Sequence, residues 1–135
     1  MRHGASDTKV YAQVVDGFGN HLFADDANLP SLLGLPFIGY VDATDPVYQE
    51  TRRLVLNNQT NPFYFGSSDI SLGIGGIGSE DASGNAGLGH VWALSLVARL
   101  LTIPRKGGGA AADAEAAWTL RALKDSSGGT GETVV

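Results

Sequence analysis

Glycine sets the limits of this fold. Most of the nineteen glycines in the 135 residues gather at 73–78, 84–89, 107–109 and 128–131. Glycine loses more backbone freedom on ordering than any other residue, so each cluster interrupts a long helix or strand. The chain must therefore be assembled from short blocks. Its length allows one small domain with a modest core. A hydrophobic content of 43% with 17% charged residues belongs to a globular chain, not a disordered one.

Charge and residue usage exclude several functions. The net charge is -5, and no basic run is longer than the pairs Arg52-Arg53 and Arg105-Lys106. Nucleic-acid binding needs a basic footprint, so it is not expected. An acidic balance suits a neutral ligand such as a sugar. Without cysteine there is neither a disulfide framework nor a thiolate metal site. His3, His21 and His90 fit no short metal-binding spacing, and no metal or other cofactor is expected. Met1-Arg2-His3-Gly4 opens no signal-peptide core. The longest apolar run, residues 88–103, includes His90 and Arg99 and falls short of the ~20 residues that span a bilayer. No membrane partner is expected.

The pattern predicts a mainly α chain with a short β segment near the N-terminus. Residues 1–9 read as a disordered N-terminus, 10–124 as the folded domain and 125–135 as a disordered tail. Val10 to Val15 is β-prone and ends at two turn pairs, Asp16-Gly17 and Gly19-Asn20, with no obvious partner strand. Asn28 is placed to cap a short helix over 29–35, with Pro30 in its first turn. Asp45-Pro46 starts a second helix reaching Leu56. Val47, Tyr48, Thr51, Leu54 and Val55 form its inner stripe, and Glu50, Arg52 and Arg53 its outer side. Residues 67–87 form a long glycine-rich loop. Residues 88–101 form the strongest helix, apolar enough to be buried on most sides. Residues 110–123 form an alanine-rich helix with Ala114, Ala117, Trp118 and Arg121 in register.

The chemistry concentrates in Asp25-Asp26-Ala27-Asn28. Two neighbouring carboxylates and an amide can hold vicinal sugar hydroxyls, or divide acid and base roles if their environments separate their pKa values. They can equally be an acidic helix start, where the dipole favours carboxylates. Gly73 to Gly78 matches G-x-G-x-x-G, but Ser79-Glu80-Asp81 opens no helix behind it, so a glycine loop is the better reading. Trp92, Trp118 and the turn Phe63-Tyr64-Phe65 can stack on sugar rings, although aromatics at helical spacing are mostly core. The Phe63–Phe65 turn is the best exposed platform among them. His90 reads as a structural histidine and His21 as a possible member of the acidic cluster. Asn58-Gln59-Thr60 is a glycosylation sequon, relevant only to a secreted chain.

These residues resemble a known family. Val15-Asp16-Gly17-Phe18-Gly19-Asn20, followed by Asp25-Asp26-Ala27-Asn28-Leu29-Pro30-Ser31-Leu32-Leu33, is similar to glycoside hydrolase family 125, the metal-independent exo-α-1,6-mannosidases. The similarity continues through Leu35-Pro36-Phe37-Ile38-Gly39, Asp45-Pro46-Val47-Tyr48, Asn61-Pro62-Phe63-Tyr64, Gly73-Ile74-Gly75 and Gly89-His90-Val91-Trp92. It covers about residues 10–103. The resemblance implies helical hairpins forming part of an (α/α)6 barrel, and inverting hydrolysis of terminal α-1,6-linked mannose from mannose-containing glycans. It implies sugar-binding roles for Asp25, Asp26, Asn28 and Trp92. It also implies that the general acid lies on preceding sequence. The general base is a Glu in an M-H-E-S-like block, for which Glu132 lacks the neighbouring His. The chain therefore reads as a fragment of such an enzyme, inactive alone and lacking the remainder of its barrel. The alternative is a non-catalytic carbohydrate-binding or interaction module derived from that fold.

Overall fold

The computed structural model of the chain describes residues 8–66, 75–79, 90–125 and 133–134. Among these, three helices stand in order: α1 (Pro46–Val55), α2 (Ala93–Leu101) and α3 (Gly109–Asp125). Three antiparallel ribbons accompany them. In the first, β1 (Val14–Val15) pairs with β2 (His21–Leu22), with Val14 opposite Leu22 and Val15 opposite His21. The second joins β3 (Tyr64–Phe65) to β4 (Gly76–Ile77), and the third joins β5 (Val91–Trp92) to β6 (Thr133–Val134). None of the described helices is long and apolar enough to cross a membrane.

Helix α1 starts where the sequence places it. The Asp45 carboxylate accepts the Tyr48 N–H at 2.8 Å, and Pro46 occupies the first turn. Tyr48, Thr51 and Val55 face inward as expected, but Arg52 is buried beside them rather than on the outer side. The cause lies in α3. Glu115 accepts from Arg52 Nη2 at 2.8 Å and Nη1 at 3.2 Å, and from Arg99 Nε at 2.7 Å. A bidentate pairing of this kind offsets the cost of desolvating a guanidinium. It also turns α3: Glu115, Thr119 and Ala122 lie inward, while Ala114, Ala117 and Arg121, expected in one stripe with Trp118, are exposed. Arg99 stacks over the Trp118 ring at 4.9 Å.

The expected helix over 29–35 does not form. Residues 33–39 are a run of turns, tied by bonds such as Ile38 N–H to the Gly34 carbonyl at 3.2 Å and Tyr40 N–H to that of Leu35 at 3.0 Å. The strongest helix begins at Ala93 rather than 88, because Val91 and Trp92 are extended and paired with β6. Its Leu94, Val97 and Leu101 are open to solvent, so it is not buried on most sides. α2 and α3 pack together as a helical hairpin joined by residues 102–108. Of the 125–135 segment, Asp125 ends α3 and Thr133–Val134 forms β6, while 126–132 and 135 lie outside the described residues.

Two small cores hold these pieces, one of Val91, Leu96 and Ala122 under α3 and a larger one under the turn run. Leu32, Leu33, Val55, Tyr64, Ile77 and Ala98 are buried in contact, with Trp92 packed against them. The residue that follows β4 packs against its neighbours closely enough to require glycine. A Cβ at Gly78 would lie 2.4 Å from the His90 carbonyl oxygen and 2.6 Å from the Phe65 ring.

Candidate functional site

The site begins with a capping role that the sequence assigned to the wrong residue. Asp25 is 1% exposed. Its Oδ1 accepts the Leu32 N–H at 2.7 Å and its Oδ2 accepts the Leu33 N–H at 2.9 Å. The carboxylate thus anchors the start of the turn run, the task expected of Asn28. Behind it, the Tyr48 hydroxyl donates to the Leu33 carbonyl at 2.8 Å, fixing that peptide from its other side. Burial pushes the Asp25 carboxyl up to about 7; the Leu33 and Leu32 amides work against the rise and Asp26 adds to it.

Asn61 holds the Asp25 backbone. It is fully buried, and its side chain accepts the Asp25 N–H at 3.1 Å and donates to the Asp25 carbonyl at 3.0 Å. It also donates to the Val55 carbonyl at 2.9 Å and accepts the Phe63 N–H at 3.2 Å. All four bonds an amide side chain normally makes are therefore in place. The Asn61-Pro62 turn is thus a strut under the acidic pair. The aromatics after it are not an exposed platform, since Tyr64 is buried and Phe63 and Phe65 are half-buried.

Asp26 and Asn28 form the next part. Asp26 Oδ1 accepts the Asn28 N–H at 2.7 Å, and Oδ2 accepts the Ser79 hydroxyl at 2.8 Å. Ser79 Oγ in turn accepts from Asn28 Nδ2 at 2.9 Å. The glycine-rich segment delivers Ser79: Ala27 N–H donates to the Gly78 carbonyl at 2.9 Å, and Gly78 N–H to the Phe63 carbonyl at 2.8 Å. Residues 75–78 are therefore a buried strand and its flank, not the phosphate loop of a dinucleotide site; Gly73 and Ile74 lie outside the described residues.

Asp25, Asp26 and Asn28 open onto one cleft of about 400 Å³, walled by Gln13, Ser31 and Leu35 among others. That size lies within the range of small-molecule sites, ~300–1,000 Å³. Trp92 is not on this cleft. It packs against the core, and its ring N–H has no partner among the described residues. His21 is exposed on β2 and does not line this cleft, and His90 is half-buried beside the residue that follows β4. Ser79 and Asn61 belong to the site and were not anticipated, because their partners lie 51 or 53 and 36 residues away. Among the described residues, no group of three or more His, Cys, Asp or Glu is placed to hold a metal ion.

Two carboxylates and an amide beside a cleft of this size suit a small hydroxyl-bearing ligand and leave its class open. The comparisons narrow it. Residues 1–134 match the sequence model of the metal-independent alpha-mannosidase family GH125. The chain is 47% identical over 105 residues to the meiotically up-regulated gene 157 protein of Schizosaccharomyces pombe, across 75% of this chain and 19% of that protein. It also superposes, with a TM-score of 0.64 and 34% identity, on a metal-independent alpha-mannosidase of Streptococcus pneumoniae in a non-productive complex with alpha-1,6-mannobiose. That match takes in 83% of this chain and 22% of the other. The chain belongs to the GH125 family. It spans about a fifth of the length of either relative.

Proposed function

We propose that this chain is part of an inverting exo-α-mannosidase that takes terminal α-1,6-linked mannose from glycans. In this reading it supplies the sugar-holding floor of an (α/α)6 barrel. The carrying observation is the cleft in which Asp26 and Asn28 are locked together by Ser79 while Asp25 is fixed beneath them. Carboxylate and amide groups preset by buried bonds are suited to fixing hydroxyls, because little ordering remains to be done on binding. Asp25 is 1% exposed with both oxygens on backbone amides, against 7% for Asp26, so in this reading it supports the floor from below. The two catalytic carboxylates of inverting hydrolysis stand ~6.5–9.5 Å apart to admit a water. Sequence neighbours sharing one floor fit sugar binding better. The acid and base then lie elsewhere in the longer polypeptide, and this chain alone binds without turnover.

Titration of the chain with mannose and α-1,6-mannobiose tests this reading. Saturable binding that Asp26→Asn weakens, with no release of mannose from the disaccharide, is the expected result. Absence of binding would overturn the mannose site, and turnover would overturn the absence of acid and base. The occupied oxygens of Asp25 also favour a second reading, a non-catalytic carbohydrate-binding module derived from this fold. Restoring the chain to a full-length GH125 polypeptide separates the two: mannobiose turnover that Asp26→Asn impairs supports the enzyme, and binding without turnover supports the module.

A further inference from the structure

The cleft does not end at its own rim. Its wall includes Ala12 and Gln13, the residues that lead into the β1–β2 hairpin. Gln13 N–H donates to the Leu22 carbonyl at 3.0 Å, so the hairpin is continuous with that wall. At its far end stands Phe18, 93% exposed. The turn that carries it is firmly built. Asp16 Oδ1 accepts the Phe18 N–H at 2.7 Å and the Asn20 N–H at 3.1 Å, and the Asn20 amide donates to Oδ2. Gly17 and Gly19 adopt φ of 76° and 98°, which residues with a Cβ rarely do. The Asp-Gly-Phe-Gly-Asn turn thus holds its own backbone in place and presents an exposed apolar ring at the hairpin tip. Val14 and Leu22, directly opposite each other, extend the exposed apolar surface along one face.

We propose that Phe18 is a stacking platform for the distal part of a saccharide chain whose terminal sugar occupies the cleft. This rests on the mannose reading of that cleft. Phe18 lies five residues beyond Gln13, at the tip of the hairpin and at most roughly 17 Å away at ~3.3 Å per residue. A single sugar in the cleft cannot reach that far, but an oligosaccharide can. The chemistry matches: a pyranose offers an apolar C–H face to an aromatic ring and hydroxyl edges to carboxylates and amides. The net charge of -5 also favours a neutral chain over an anionic one.

The test measures binding of mannose and of α-1,6-mannopentaose by calorimetry, using the 135-residue chain and its Phe18→Ala, Phe18→Trp and Asp26→Asn variants. Phe18→Ala weakens the pentasaccharide about five- to tenfold and leaves mannose unchanged. Phe18→Trp keeps the pentasaccharide affinity, and Asp26→Asn weakens both ligands. Circular dichroism establishes that the exposed substitutions leave the fold intact. If Phe18→Ala binds both ligands as the original chain does, or changes only the oligomeric state, the stacking role is overturned and the mannose site stands. If neither ligand binds the unsubstituted chain, both readings fall together.

Discussion

Two acids in this molecule, one buried and one half-buried, are neutralised in opposite ways. Asp25 sits under the cleft, held by two backbone amides and with no cation acting on it among the described residues. Glu115 sits between α1, α2 and α3, gripped by two guanidiniums. Burial pushes Asp25 up to about 7. Burial also works to raise Glu115, but the hydrogen bonds and charges of Arg52 and Arg99 outweigh it and hold the carboxyl below its ordinary value. Glu115 is therefore a structural rivet, saturated by its partners and away from the cleft. Asp25 is a tensioned support, charged at a cost and directly beneath a surface that a ligand can reach. A buried carboxylate marks a candidate site when its environment leaves it unsettled, not merely because it is buried.

Breaking the rivet has the largest expected effect. Glu115→Ala leaves Arg52 and Arg99 buried without their carboxylate, at a cost of about 3–5 kcal/mol. Urea denaturation of a domain this small should then show little or no folded baseline. Glu115→Gln, which keeps an acceptor, should fall between that variant and the original chain.

The contrast between the acids also predicts a stability profile. Asp25 has a raised folded pKa, so its contribution is complete below its ordinary value of 3.8 and is lost as pH rises towards 7. Glu115 has a lowered pKa, so its contribution is present above 4.5 and is lost as pH falls through the folded value. The two slopes oppose each other and place a stability maximum near pH ~4–5. The decline from pH 4 to 7 is at most ~4 kcal/mol. Denaturation midpoints across pH should show it, and Asp25→Asn should flatten it. A profile that rises steadily from pH 4 to 7 in the original chain would break the contrast.

Asn61 tests the support from below. Asn61→Ala removes four buried side-chain bonds and strands the Asp25 backbone groups, costing about 2–3 kcal/mol. It should also shift the carboxyl signal of Asp25 in carbon NMR, whereas Glu115→Gln should leave that signal in place.

How much of this was legible in the sequence depends on where each partner lies. Asp45-Pro46 announces α1 because capping is local, and the bodies of α2 and α3 show in their apolar spacing and alanine content. The acidic pair and Asn28 were visible as a dense polar block. The helix expected over 29–35 fails for a local reason that was hidden: Asp25 reaches over seven residues to cap the Leu32 amide and fixes turns instead. Arg52 looked solvent-facing because its partner Glu115 is 63 residues away. Asn61 and Ser79 gave no signal, since an amide or a hydroxyl shows its use only once distant backbone is beside it. Trp92 shows the converse: as an aromatic within the family resemblance it was expected to hold sugar, and its ring packs against the core.

The smallest effect concerns the cleft surface and separates its two polar layers. Asp26→Asn removes the charge that takes both the Asn28 N–H and the Ser79 hydroxyl, and should weaken mannose about tenfold, or ~1.4 kcal/mol. Ser79→Ala leaves that charge but removes the hydroxyl bridging Asp26 to Asn28, so Asp26 and Asn28 lose their mutual alignment. It should weaken mannose about three- to tenfold while moving the denaturation midpoint little. Because both substitutions act on one network, the double variant should lose less affinity than the two losses combined. Strictly additive losses in calorimetry would mean that Ser79 acts independently of Asp26. The floor would then be two separate contacts rather than one preset unit.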